Sequence, residues 1–225
     1  MLISHGRRFI YIKSHKTAGT SVELALQTFC VRPGYEITDK TEALESEYGV
    51  VGHRGKVPGG ADRPKWYNHM PATEIRACVA PEIWAGYAKI VNIRNPYSRA
   101  VSMFRFVRDA SQNPERENMP QERATFRAFM QSRYRSYDHL VFVDDIFVPT
   151  HVIRKEHLAD DLMLLSKALD LPPDDIRLAH FKKYEGRHTD RSVAEYFDDD
   201  SRDALLRMDG WAFDRFGYST DPRDA

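Results

Sequence analysis

Cysteine is scarce in this chain, with only Cys30 and Cys78 among 225 residues. Two cysteines cannot frame a disulfide scaffold, so a reducing compartment is the simpler expectation. No apolar run reaches 18 residues, and the opening Met1-Leu2-Ile3-Ser4-His5-Gly6 lacks the long apolar stretch of a signal peptide. Net charge is missing too, because 33 Lys+Arg meet 33 Asp+Glu. These absences argue against a secreted disulfide protein, a membrane-spanning protein, a collagen-like chain and a nucleic-acid binder recruited by bulk charge. The expectation is a soluble, cytoplasmic protein.

What is present is an ordinary globular mixture, 42% hydrophobic and 29% charged. The length suits one domain spanning 1–225 with a sizeable core. Charge is unevenly spread within it. Residues 1–22 carry Arg7, Arg8, Lys13 and Lys16 and no acid. Residues 94–135 carry Arg94, Arg99, Arg105, Arg108, Arg116, Arg123, Arg127, Arg133 and Arg135 against Asp109, Glu115, Glu117 and Glu122. From 190 onward acids outnumber arginines. Two basic segments could converge on a small anion, or could be solvated faces balanced by the acidic tail.

The pattern along the chain alternates strands and helices. Arg8–Lys13 is β-rich, Ser14–Gly19 breaks the pattern, and Val22, Ala25, Leu26 and Phe29 repeat at helical spacing. Residues 31–68 read as irregular, being rich in Gly and Pro. A short helix is expected over 72–79 after Pro71, another at Pro81, and a strand over 88–93. Asn95 is a suitable N-cap and Pro96 a suitable first helical residue, with Ala100, Met103, Phe104 and Val107 on the buried side. Residues 109–122 read as loop, and Phe126, Phe129 and Met130 mark a helix after it. Leu140–Val143 and Thr150–Arg154 read as strands, Leu158 to Leu169 as a helix stopped by Pro172-Pro173, and about 201–214 as a final helix. The whole predicts an α/β fold, a P-loop-like three-layer arrangement with a central, mostly parallel β-sheet flanked by helices. Segments 31–68 and 109–138 are expected to be substrate or lid loops.

Two segments carry chemistry. Lys13-Ser14-His15-Lys16-Thr17-Ala18-Gly19-Thr20-Ser21 lies between strand and helix, where backbone N–H groups and the positive helix end favour a phosphate. Gly19 permits close approach, Thr20 and Ser21 add hydroxyls, and Lys16 adds a point charge. This is not a Walker A loop, since Lys16 precedes Gly19 and no glycine stands earlier in the loop. The second segment is Arg94-Asn95-Pro96-Tyr97-Ser98-Arg99-Ala100-Val101-Ser102, at the carboxyl end of a strand where open α/β sheets bind ligands. Arg99 and Ser102 stand at i, i+3, and a guanidinium fork with a hydroxyl suits a phosphate monoester.

Both segments resemble motifs of the sulfotransferase family that uses 3′-phosphoadenosine 5′-phosphosulfate (PAPS). Tyr11–Ser21 is similar to its 5′-phosphosulfate loop, and Ile93–Ser102 to its 3′-phosphate motif. Trp66–Ala72, Ile83-Trp84, Arg154–Leu158 and Phe213–Tyr218 resemble the carbohydrate-type and bacterial branch. The resemblance implies sulfuryl transfer from PAPS to a hydroxyl or amine of a carbohydrate or small molecule, leaving adenosine 3′,5′-bisphosphate, with no metal and no nucleic-acid partner. It implies that Lys13, His15, Lys16, Thr17, Ala18, Gly19, Thr20 and Ser21 bind the 5′ end of the donor and Arg94 and Ser102 its 3′-phosphate. Lys16 would stabilise charge growing on the oxygen between phosphorus and sulfur. His69 is the first candidate for general base, with His15, His53 and Glu23 as alternatives.

Two other readings stand beside this one. Leu140–Asp145 looks like a Walker B strand, which an ATP-dependent small-molecule kinase would use to hold Mg²⁺, although it also reads as a strand-end turn. A non-catalytic nucleotide-binding module of the same fold is the other. His151 and His157 lack metal-site spacing, so no metal ligands are assigned. Trp66 and Tyr67 could line an acceptor pocket or belong to the core.

Overall fold

The computed structural model describes residues 1–38, 40–55, 59–110, 118–176 and 191–225. Residues 39, 56–58 and 111–117 of the two expected loops, Arg116 among them, lie outside these residues. In chain order the elements are β1 (Leu2–Ser4), β2 (Phe9–Ile12), α1 (Gly19–Gln27), β3 (Leu44–Glu45), β4 (Gly49–Val51), α2 (Ala72–Cys78), α3 (Pro81–Gly86) and β5 (Ala88–Ile93). There follow α4 (Pro96–Ala110), α5 (Met119–Ser132), α6 (Asp138–Val141), β6 (Phe142–Val143), β7 (Ile146–Phe147), β8 (His151–Arg154), α7 (Leu158–Ala168) and α8 (Asp199–Phe216). They gather into two compact units, one from Met1–Ile93 with the segment starting at Asp138, the other from Arg94–Tyr137 with the C-terminal segment.

The first unit is built on a six-stranded sheet in the order β3-β4-β1-β2-β5-β8. β2 pairs with β5 and β5 with β8 in parallel, whereas β1–β2, β1–β4 and β3–β4 are antiparallel. The sheet is therefore mixed, which corrects the mostly parallel sheet expected from sequence. The reason is local. Strands β1 and β2 are separated by only four residues, and a short connection can only return antiparallel. The stretch 31–68, read as irregular, contributes β3 and β4 to the same edge. A hairpin turn joins them, with Ser46 and Gly49 exchanging backbone hydrogen bonds of 2.9 and 3.2 Å. Gly49 is required there. Its φ is +157°, and a Cβ on it would stand 2.0 Å from the Ile3 carbonyl oxygen.

β2 has no solvent face because it is central, so Phe9-Ile10-Tyr11-Ile12 is a continuous buried run. Val22 and Leu26 of α1 and Leu162 and Leu165 of α7 pack with Phe9, Tyr11, Ile90 and Ile153 in one core. Another expectation is corrected nearby. Leu140 and Val141 belong to the helical turn α6, and only Phe142–Val143 is extended, pairing with β7 in a separate two-stranded ribbon.

The second unit packs α4, α5 and α8 around an aromatic core. Phe104, Phe126, Phe129, Tyr134, Tyr196 and Phe213 are all buried in it. Phe104 and Phe126 meet edge to face at 5.3 Å, an arrangement that suits the ring quadrupoles. α4 starts as its sequence requires, with Asn95 Oδ1 accepting from the N–H groups of Tyr97 (3.0 Å) and Ser98 (3.3 Å). No helix among the described residues is long and apolar enough to cross a membrane.

Candidate active site

The loop after β2 is held on the parallel side of the sheet. Ser14 Oγ donates to the Asn92 carbonyl of β5 and lies 2.9 Å from Thr17 Oγ1. The Tyr11 hydroxyl lies 2.7 Å from Asn92 Oδ1 and 3.0 Å from the Gly19 carbonyl. Lys16 and Ala18 take φ of +62° and +64° on either side of Thr17, and Ala18 is the N-cap of α1. Left-handed residues alternating along a loop turn successive N–H groups toward one side, a concavity that suits an anion. A Cβ at Gly19 would meet Lys13 Cγ at 3.0 Å and the Tyr11 hydroxyl at 3.2 Å. Glycine thus lets the loop close tightly on β2. Ser14 and Thr17 are buried, while His15, Lys16, Thr20 and Ser21 keep part of their surface in solvent.

Lys13 departs from its expected role. Its side chain is buried, and its ammonium sits 2.7 Å from Glu23 Oε2. The Met1 ammonium reaches Glu23 Oε1 at 2.8 Å and Arg54 reaches Oε2 at 3.2 Å. Burial by itself would raise the Glu23 pKa, but the three cations outweigh it and hold it at about 2. A carboxylate so held is a poor proton acceptor, which removes Glu23 from the candidate bases. Sequence reading missed this cluster. The signal was present, since Glu23 sits between Val22 and Leu24 on a helix whose neighbours are buried. Glu23→Gln should lower stability by about 3–5 kcal/mol, because buried cations lose their counter-charge. A shift of the urea midpoint measures it.

His69 is brought to the loop from a distant stretch of sequence. Its Nδ1 lies 3.1 Å from the Lys13 carbonyl oxygen. A carbonyl only accepts, so Nδ1 carries the proton and Nε2 presents its lone pair. The ring stacks on His15, with centroids 3.6 Å apart and planes 18° from parallel. His69 also takes φ +58°, a left-handed conformation that costs a non-glycine residue about 1–3 kcal/mol. Burial, then the facing His15 and Lys13 charges, push its pKa well below the ordinary 6.5. The neutral ring is therefore the resident form near pH 7. The unfolded chain takes up this proton first, so stability is full above about 6.5 and falls as pH drops toward the folded value. Thermal midpoints between pH 7 and 5 should decline less steeply in His69→Gln than in the wild type.

His53 lies on the β4 side, its N–H bonded to the Trp66 carbonyl at 2.9 Å. Trp66 and Tyr67 are buried, with Trp66 Nε1 donating to Glu45 at 2.7 Å and the Tyr67 hydroxyl to Glu74 at 2.6 Å. They are core residues with polar anchors rather than an open acceptor wall.

In the second unit, Arg94 Nε donates to Ser98 Oγ at 2.8 Å. Ser102 is half-buried on the next turn of α4. Arg99 does not join them as a phosphate fork. It is 1% exposed and bonded to Asp209 at 3.0 Å. Arg154, at the carboxyl end of β8, forks onto Asp161 at 2.7 and 2.9 Å.

No protein-family model, curated protein or solved structure matches the chain. Asp144 and Asp145 have φ of +51° and +60° and form the two-residue turn of the β6–β7 hairpin, a type I′ arrangement. Asp144 pairs with Arg76 at 2.7 Å. They are turn residues of a ribbon outside the main sheet, so they lend no support to a Walker B aspartate. Among the described residues no cluster of three or more His, Cys, Asp or Glu could hold a metal.

Proposed function

We propose that the chain is a PAPS-dependent sulfotransferase on a P-loop-like three-layer α/β framework, acting on a hydroxyl or amine of a carbohydrate or small molecule. The observation that carries the reading is the loop Ser14–Ser21. It has a backbone that suits an anion, holds a lysine, opens a helix, and starts just after the Lys13 carbonyl on which a neutral histidine docks.

In this reading the loop amides, Thr20 and Ser21 hold the 5′-phosphate, and Arg94 and Ser102 bind the 3′-phosphate. PAPS supplies an activated sulfuryl group. The bond between sulfur and the 5′-phosphate oxygen breaks as a bond from sulfur to the acceptor oxygen or nitrogen forms. The bonding electrons leave with the phosphate, and the acceptor proton passes to His69 Nε2. Lys16 stabilises the charge on the departing oxygen, and the protein otherwise works by positioning. Lys13 serves through its carbonyl and the Glu23 cluster, as a support for His69 and the loop. His15 packs on His69 and limits how it can turn.

Arg94→Ala tests the donor assignment. Its affinity for adenosine 3′,5′-bisphosphate should fall by about 10²-fold, toward that for AMP, while AMP binding stays nearly unchanged. Equal losses for both nucleotides in a calorimetric titration would remove Arg94 from the 3′-phosphate site.

A further inference from the structure

We infer that Arg99, clamped by Asp209 and Tyr134 within the second unit, is a positioning residue for 3′-phosphate recognition. The inference rests on the reading of Arg94 and Ser102 given above. Arg99 lies on α4 with its guanidinium fully sequestered. Its Nη1 is 3.0 Å from Asp209 Oδ2, its Nη2 is 3.1 Å from the Arg135 carbonyl, and it stacks 4.3 Å from the Tyr137 ring centroid. The Tyr134 hydroxyl bonds Arg99 and, at 2.5 Å, the same Asp209 oxygen.

Stability alone does not account for this arrangement. A buried ion pair is often no better than well-packed apolar residues of the same volume. Its acid also stands at a break in helical geometry. α8 leaves helical geometry at Asp209, with φ −115° and ψ 16°. The second carboxylate oxygen, Oδ1, is buried with no hydrogen-bond partner among the described residues, a costly state for a buried acceptor. What the clamp does supply is a fixed first turn of α4. The Arg99 N–H bonds the Asn95 carbonyl at 2.9 Å, and Asn95 Oδ1 caps Tyr97 and Ser98. Ser98 Oγ in turn receives Arg94 Nε. Arg99 is therefore three bonded links from Arg94, and Ser102 stands one turn beyond it on the same helix. Recognition of a phosphate by a guanidinium and a hydroxyl is lost with displacements of about 1 Å.

The test is calorimetric titration of the full chain with adenosine 3′,5′-bisphosphate and with AMP, alongside urea unfolding. Tyr134→Phe loosens the clamp mildly, and the pair Arg99→Met with Asp209→Leu replaces it by apolar volume. The expected result is a preference for bisphosphate over AMP reduced about threefold in Tyr134→Phe and about tenfold in the double variant, with AMP affinity within about twofold of wild type. Should the double variant fail to fold, Tyr134→Phe decides alone. A preference unchanged from a discriminating wild type, or parallel loss for both nucleotides, overturns the inference and leaves the 3′-phosphate reading standing. A wild type that does not prefer the bisphosphate overturns both.

Discussion

Replacing Lys16 by methionine should reduce sulfuryl transfer about 10²–10³-fold, with the affinity for adenosine 3′,5′-bisphosphate changed only a few-fold. The asymmetry follows from where the charge is needed. The bisphosphate lacks the sulfuryl group, so it does not develop charge on a bridging oxygen. Only the transition state does. A charged contact to that oxygen in a water-poor site is worth about 3–4 kcal/mol, and each 1.36 kcal/mol is tenfold in rate. Lys16 is suited to this because its left-handed backbone and position before the α1 N-terminus place its stem on the loop itself. Lys16→Arg keeps the charge but spreads it over a planar fork, so it should recover only part of the rate. Release of bisphosphate from labelled PAPS gives the rate, and calorimetry gives the affinity. A variant that loses both in proportion would make Lys16 a simple phosphate ligand.

The second large effect belongs to His69. His69→Ala should lower turnover by about 10²–10⁴-fold, the usual contribution of a positioned proton acceptor, and leave bisphosphate affinity nearly untouched. His69→Gln sharpens the test, because its amide N–H can still reach the Lys13 carbonyl while offering no basic lone pair. Its turnover should remain as low as that of the alanine variant. The pH profile adds a sign. In the proposed reaction the working form is the neutral ring, whose pKa is held well below 6.5 by burial and by the His15 and Lys13 charges. Turnover should thus stay level as pH falls through 6.5 and decline only at the lower folded value. If turnover survives in His69→Gln, the base lies elsewhere.

Much of the framework was legible in the residues. The strand, Gly-containing turn and helix of 9–27 follow directly from a switch in apolar period, and α4 starts at the Asn95-Pro96 pair that capping chemistry favours. The antiparallel half of the sheet was hidden because β1, β3 and β4 are two or three residues long, too short to show any period. Phe142 and Val143 were legible as strand, but nothing local marks the helical turn at Leu140 and Val141. The two buried charge clusters show a different limit. Arg99 falls on the same helical stripe as Met103 and Val107, which signals a buried cation in need of an acid. The chain pattern does not say that the acid is Asp209, 110 positions away. Likewise Lys13 reads as a phosphate ligand from its neighbours, and only the fold brings Glu23, Arg54 and Met1 against it. His69 is marked in the sequence only by the family resemblance of Trp66–Ala72, while its tautomer and its stacking on His15 depend on contacts across more than 50 residues.

The proposed reaction requires that this chain hold a nucleotide phosphorylated at both the 3′ and 5′ positions. Its most direct test is one calorimetric series on the wild-type protein with adenosine 3′,5′-bisphosphate, AMP and ATP, each with and without Mg²⁺. The expected result is that the bisphosphate binds about 10²-fold or more tightly than AMP, with no dependence on Mg²⁺. Equal affinity for AMP and the bisphosphate, or tight binding confined to Mg-ATP, would contradict it.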